Sequence, residues 1–255
     1  KALVIIHYAG MIANLKNLIE LKKKYKFFLV EDAAQSINLK YKNKYVGTFG
    51  DFGCVSFHET KNIHCGLGGA LFINNKKFKK KSTYIWERGT NRRDVINKQI
   101  KKYSWVEIGS NFYPSELQSA FLYAQLKQID KITLKRKKLF NIYLKNLNYF
   151  VKENFLKTLP LNKETNGHAF YIILKNKKER ENLQLFMKDN KIETYIGYVP
   201  LHSSKMGKII QDNNNLPITQ SSSNLILRLP MHMYLNEEKI KFVCKTIGKF
   251  FRYEK

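Results

Sequence analysis

Cysteine, arginine and acidic residues are scarce in this chain, and long apolar runs are missing. The three cysteines, Cys54, Cys65 and Cys244, stand at spacings that fit neither a zinc site nor a CxxC motif. They read as the reduced thiols of a cytoplasmic protein, because intracellular compartments keep thiols reduced. No run approaches the apolar length needed to cross a bilayer, which excludes membrane insertion. The opening Lys1-Ala-Leu-Val-Ile-Ile6 is too short for a signal-peptide core with its cleavage site. It lacks an initiator Met and runs straight into a strand-like segment, so the expectation is the C-terminal part of a longer protein. Twenty Asp and Glu stand against 46 Lys and Arg, a net charge of +26. Only seven of those 46 are Arg, the residue whose planar fork reads phosphates and guanine edges. The lysines are spread along the chain, with one dense run from Lys76 to Lys81, and many Asn and Ile accompany them. Compositional bias explains that charge more simply than a clustered basic face does, and no nucleic-acid partner is expected.

The 255 residues are 44% hydrophobic, enough for one large domain or two smaller ones. Val4–Ile6 reads as a strand and His7–Gly10 as a loop. Leu15, Leu18, Ile19 and Leu21 recur at helical spacing within Ile12–Tyr25. Phe27–Val30 is then a short, fully apolar strand. Strand, helix and strand in that order announce a parallel sheet with covering helices. Cys54–Phe57 and Gly69–Ile73 read as further strands, and Lys76–Trp86 as a helix. Pro114–Ile129 is another, opened by Pro-Ser-Glu as helix starts often are. A long basic helix, Lys131–Phe150, links to a second region. There His168–Leu174 reads as a strand, Lys178–Asn190 as a helix, and Glu193–Val199 as an extended piece. Asn224–Leu229 and Glu237–Phe251 complete a smaller α/β unit. The Gln211–Asn215 and Ser221–Ser223 runs read as loops or helix entries.

Four positions, Asp32, Gln35, Ser56 and Lys61, carry the chemistry. Asp32 directly follows an apolar strand, and in open α/β sheets ligands sit outside the carboxyl ends of strands. A partly desolvated carboxylate there stays ionised beside a cation, such as a protonated pyridine nitrogen. Equally, Asp before Ala33-Ala34 is a good helix N-cap. Gln35, one turn on if a helix starts at Asp32, can face the same pocket or close a capping box. Lys61 lies in Ser56-Phe-His-Glu-Thr-Lys-Asn62, followed by Gly66-Leu-Gly-Gly69. It is one of 39 lysines, and an exposed loop lysine is the plain alternative. Desolvated beside a cationic ring, its amine would become nucleophilic, and Ser56 would donate to a phosphate. An amine, a carboxylate and phosphate donors are together what pyridoxal phosphate requires. His58 and His64 lack the partners for a metal site beyond Cys65, and no metal is expected. His7, His168 and His202 are each a pocket group or a core histidine.

These residues together resemble the DegT/DnrJ/StrS family of pyridoxal-phosphate-dependent nucleotide-sugar aminotransferases, almost end to end. The resemblance is carried by His7-Tyr-Ala-Gly10, Glu31-Asp-Ala-Ala-Gln35, Gly47-Thr-Phe-Gly-Asp51, Ser56–Asn62 and Gly68-Gly-Ala70. It continues in Glu87-Arg-Gly-Thr-Asn-Arg92, Tyr103-Ser-Trp105, Ile108-Gly-Ser-Asn111, Glu116-Leu-Gln118, His168-Ala-Phe-Tyr171, Pro200-Leu-His202 and Leu229-Pro230. It implies an α/β fold, type I among pyridoxal-phosphate-dependent transferases: a mixed, mostly parallel sheet with helices on both faces, plus a smaller C-terminal α/β domain. Residues 1–130 would be the remainder of the large cofactor-binding domain, its N-terminal part absent, and 131–255 the linking helix and small domain. By resemblance Lys61 would bond the cofactor aldehyde and later move the proton at the substrate carbon. Asp32 would pair with the ring nitrogen, Gln35 touch the ring oxygen and Ser56 bind the phosphate. Asn111 would reach the phosphate held by the neighbouring subunit of a homodimer. His7, Tyr198 and His202 would meet the substrate.

The Ser56–Asn62 stretch, the 87–92 segment and Lys102-Tyr-Ser-Trp105 are similar to the branch that makes dTDP-4-amino-4,6-dideoxygalactose. That implies transfer from glutamate to a 4-keto-6-deoxy nucleotide sugar for cell-surface polysaccharide, lipopolysaccharide included. The alternatives are amination at a 3-keto group, or a truncated, inactive fragment of this fold. Leu67 replaces the acidic or polar residue usual in the glycine turn, and Gly197 the usual His before Tyr198. Lys61 is retained, which argues against the family's dehydratase members.

Overall fold

The computed structural model describes residues 1–159, 164–210 and 215–252. Residues 211–214 of the Gln211–Asn215 run therefore lie outside the described residues. The chain divides into two compact units. One is Lys1–Thr133 with Glu164–Asn166; the other holds the remaining described residues from Leu134 onward.

In the first unit, β1 (Ala2–Ile6) leads through α1 (Leu15–Tyr25) into β2 (Phe28–Asp32). Helix α1 starts where the Asn14 side chain accepts the Asn17 N–H, and it stops at Lys26, whose φ is +53°. A two-residue hairpin follows, β3 (Lys40–Tyr41) and β4 (Lys44–Tyr45). Both of its turn residues, Lys42 and Asn43, have positive φ. This is the conformation tight hairpins need, and without a glycine to flag it the sequence reading passes it by. Strand β5 (Phe52–Ser56) runs parallel to β2, and β6 (Gly69–Ile73) returns antiparallel, so the sheet order is β1-β2-β5-β6. The expected Lys76–Trp86 helix is a 3-10 turn at Lys76–Phe78 followed by α2 (Lys79–Trp86). Then come α3 (Arg92–Ile96) and α4 (Glu116–Lys127), the latter opened by a Ser115/Gln118 capping box. Leu15, Leu29, Leu39, Ile63 and Val55 form the buried centre, with Ile12, Leu18 and Leu122 packed on it.

The boundary between the units falls inside α5 (Ile129–Lys152). In the second unit a three-stranded antiparallel sheet is ordered β7 (Lys157–Thr158), β8 (Phe170–Ile173), β9 (Ile226–Leu229). Helices α6 (Lys177–Asp189) and α9 (Glu237–Phe250) bury Leu183, Met187, Ile240, Val243 and Ile247. Phe170 of β8 lies 4.9 Å from the Phe140 ring and 4.7 Å from that of Tyr143. Residues 193–199 form no strand, only an isolated bridge from Tyr195 to Arg228. Gly197, with φ +81°, interrupts the extended run. After α7 (Lys205–Ile210), the triple serine lies inside α8 (Pro217–Leu225), which starts on its proline.

Arg136 is buried in this unit and gives its guanidinium hydrogens to the carbonyls of Gly167 (2.9 Å), His168 (2.9 Å) and Met231 (3.1 Å). Burial pushes it down to about 10. Replacing it with methionine keeps most of the packing but strands those carbonyls. The expected cost is about 2–3 kcal/mol, at roughly 1 kcal/mol per lost bond, read as a lower urea midpoint with unchanged slope.

Candidate active site

The site forms at the carboxyl ends of β2 and β5. Asp32 closes β2, in register with Ile6 on β1 and Cys54 on β5. Ser56 closes β5 two residues beyond Cys54. Neighbouring strands lie about 4.8 Å apart, so the two side chains belong to one edge of the sheet. No helix opens at Asp32, which corrects the N-cap and capping-box alternatives. Instead the Asp32 Oδ1 accepts the Ala34 N–H at 3.0 Å, and the chain continues through turns to Lys40. Gln35 sits in that turn. Its Oε1 accepts the Ala9 N–H at 2.6 Å, and its NH2 has no partner among the described residues. Ser56 Oγ accepts the His58 N–H at 3.3 Å, which leaves its own proton to give.

Lys61 rides on the loop between β5 and β6. That loop is closed by Phe57 N–H to Gly68 O (2.8 Å), Glu59 N–H to Gly66 O (2.8 Å) and Cys65 N–H to Phe57 O (2.9 Å). Lys61 is half-buried, and its amine forms no ion pair among the described residues. Its neighbour Asn62 is buried and donates to Asn166 O at 3.2 Å, while Asn166 Nδ2 donates to the carbonyls of Gln35 (3.0 Å) and Ile37 (2.9 Å). An asparagine relay thus ties the lysine loop to the Gln35 turn. Asn166 comes from far along the chain, and nothing in the local sequence marks it.

The residue beside Asp32 organises this edge. Period-2 alternation turns Leu29, Glu31 and Ala33 to the interior, all at 0% exposure. Glu31 is therefore a carboxylate in the core. It accepts the N–H groups of Gly47 (2.8 Å), Phe49 (2.6 Å) and Gly50 (2.6 Å), and lies 3.1 Å from His7 Nε2. Burial would raise the Glu31 carboxyl, but the His7 and backbone hydrogen bonds outweigh it and hold it below the usual range. His7 Nδ1 accepts the Ala13 N–H at 3.1 Å, so its proton sits on Nε2, aimed at Glu31. Both ring nitrogens are thus committed and the side chain is fully buried, so His7 is a core histidine rather than a group offered to substrate. Gly53, opposite Glu31 on β5, completes the arrangement. A Cβ there would lie 1.9 Å from the Gly47 carbonyl oxygen, so only glycine lets the 47–50 loop close over the strand. Burial, and then the Asp32 charge, push the Cys54 thiol up.

Asn111 belongs to a different segment of the first unit. It is exposed and bridges to Glu87 through the backbone. Tyr198 and His202 belong to the second unit. Tyr198 is 71% exposed, with the Arg228 guanidinium 5.4 Å over its ring. His202 is half-buried in a single 3-10 turn, Leu201–Ser203. Among the described residues no group of three or more His, Cys, Asp or Glu is placed to hold a metal ion, and no helix is long and apolar enough to cross a membrane.

The profile of the DegT/DnrJ/EryC1/StrS aminotransferase family matches residues 1–248. The GDP-perosamine synthase of Escherichia coli O157:H7 is 28% identical over 257 residues, covering 98% of this chain and 66% of that protein. The dTDP-3-amino-3,6-dideoxy-alpha-D-galactopyranose transaminase of Aneurinibacillus thermoaerophilus is 26% identical over 252 residues, covering 98% and 65%. The crystal structure of a DegT DnrJ EryC1 StrS aminotransferase from Brucella abortus superposes with a TM-score of 0.84 at 27% identity, covering 98% of this chain and 64% of that one. The chain belongs to the DegT/DnrJ/EryC1/StrS aminotransferase family, whose cofactor is pyridoxal phosphate. It spans about two thirds of the length of these relatives. The groups present fit that cofactor: a strand-end carboxylate, an amide NH2, a hydroxyl proton and an amine that forms no ion pair among the described residues, all in one unit.

Proposed function

We propose that the full-length protein is an aminotransferase that moves the amino group of glutamate onto the 4-keto group of a dTDP-linked 6-deoxyhexose, for cell-surface polysaccharide. The observation that supports amino transfer is Asp32 and Ser56 at one sheet edge, Gln35 in the turn after β2, and Lys61 on the loop after β5. When bound, pyridoxal phosphate supplies an electron sink for negative charge at the substrate carbon. In this reading the Lys61 amine holds the aldehyde and afterwards carries the proton at that carbon. Asp32 keeps the ring nitrogen protonated, the Gln35 NH2 donates to the ring oxygen, and the Ser56 hydroxyl donates to the phosphate. Residues 1–130 are then cofactor-binding, and 131–255 supply the small domain, with Tyr198 and His202 as substrate groups.

The reading extends to a cytoplasmic homodimer. Trp105, Ile108 and Leu117, at 77%, 82% and 85% exposure, flank Asn111 along the chain. Large exposed apolar side chains gathered in one stretch mark interfaces, and a second copy would cover them while Asn111 met its phosphate. The resemblance of the 56–62, 87–92 and 102–105 stretches supports the 4-position, while a relative named for a 3-amino product keeps the 3-position as a second reading. Supplying glutamate with dTDP-linked 4-keto or 3-keto 6-deoxyhexose separates them. Faster amination of the 4-keto sugar is expected, and faster amination of the 3-keto sugar overturns the 4-position.

A further inference from the structure

Glu87 caps α2 and is 1% exposed. Its Oε1 accepts the hydroxyl of Tyr113, while its Oε2 has no hydrogen-bond partner among the described residues. A buried carboxylate with one phenol as its hydrogen-bond partner among the described residues needs a reason, because buried polar atoms are normally satisfied. The surrounding contacts supply one. The end of α2 and the 110–113 segment form a short ladder. Ser110 N–H donates to Ile85 O (3.0 Å), Arg88 N–H to Ser110 O (3.1 Å) and Phe112 N–H to Trp86 O (3.4 Å). Trp86 Nε1 donates to Phe112 O at 3.2 Å, and the Trp86 and Tyr113 rings lie 4.1 Å apart. Asn111 lies in the middle of that ladder, in register with Glu87, its own side chain exposed. Tyr113 to Glu87 is the side-chain bond that locks the far end.

We infer that Glu87 and Tyr113 are positioning residues for Asn111, fixing the backbone from which it would reach the cofactor phosphate of a second copy. The inference rests on the role proposed for Asn111 above. Burial, and next the Glu87 bond, hold the Tyr113 phenol above its usual range. The hydroxyl therefore keeps its proton as the donor at neutral pH.

The test is a double-mutant cycle on the full-length protein, with pyridoxal phosphate and phosphate-free pyridoxal as the two probes. Tyr113→Phe and Asn111→Ala are each expected to weaken pyridoxal phosphate about tenfold, the scale of one lost charge-assisted bond. The double variant is expected to be no weaker than Asn111→Ala alone, and pyridoxal affinity to stay within about twofold throughout. Glu87→Gln retains an acceptor for the phenol and is expected to bind like the parent. Multiplying effects in the double variant, or equal loss of pyridoxal, would overturn the positioning role while leaving Asn111 on the phosphate. Unchanged affinity in Asn111→Ala would remove the phosphate reading itself, and the positioning role with it. Should Tyr113→Phe not fold, Glu87→Ala, which removes the acceptor of the phenol, takes its place in the cycle; the same tenfold loss for pyridoxal phosphate, absorbed by Asn111→Ala, is expected, and a loss that pyridoxal shares overturns the inference.

Discussion

Lys61→Ala is expected to lower amino transfer by about 10⁴-fold or more, while the fold stays intact. A positioned acid–base group contributes about 10²–10⁴-fold, and loss of the covalent anchor adds to that. The side chain makes no ion pair among the described residues and is half-buried, so the stability change is expected within about 0.5 kcal/mol. Lys61→Arg separates charge from nucleophilicity, since a guanidinium keeps its proton and forms no such bond. Equal loss of transfer in both variants, at unchanged urea midpoint, marks a nucleophile. Substantial transfer in Lys61→Arg would reduce Lys61 to an electrostatic contact.

The largest loss of stability is expected from Glu31→Ala. It removes the acceptor of three backbone N–H groups and the partner of His7, all in the buried interior. Hydrophobic burial does not offset this, because the alanine methyl cannot satisfy four donors. Leaving buried donors unsatisfied costs about 1–3 kcal/mol each, so the loss for four of them is a large share of the total stability of an ordinary domain. Glu31→Gln keeps the shape but turns an NH2 toward donors, and an intermediate loss is expected in urea unfolding.

Acid adds a second check. Asp51, where burial is outweighed by Lys22, Leu29 N–H and Asn75, is depressed as Glu31 is. A carboxyl with a lower pKa folded than unfolded stabilises fully above its unfolded value, about 3.9–4.3 for these groups. That contribution is lost as pH falls through the folded value. Stability is thus expected to fall below about pH 4.5, with a shallower fall in Glu31→Gln. An identical acid profile in that variant would remove Glu31 as a source.

The parallel core of the first unit was legible because apolar runs and helical spacing coincide there. β6 matches its expected bounds, and α1 and α4 differ only at their ends. The 40–45 hairpin was hidden because its turn lacks glycine and its strands are lysine and tyrosine. Helix α8 was hidden because its serines read as a loop or a helix entry, whereas they lie inside the helix. Of the residues proposed for the site, Asp32, Ser56 and Lys61 drew notice in the sequence because they lie at or just past apolar strands. Glu31 carried an equally clear signal: one residue from Asp32, alternation must turn it inward, and a buried acid demands partners such as His7. Asn166 and the Glu87–Tyr113 pair had no such signal, because they join segments that only the fold brings together.

The most direct measurement expresses the protein from its complete reading frame, adds pyridoxal phosphate, reduces with borohydride and maps the modified peptide by mass spectrometry. A single label on Lys61 is the predicted result. Label scattered over surface lysines, or none at all, would contradict the aminotransferase reading of this chain.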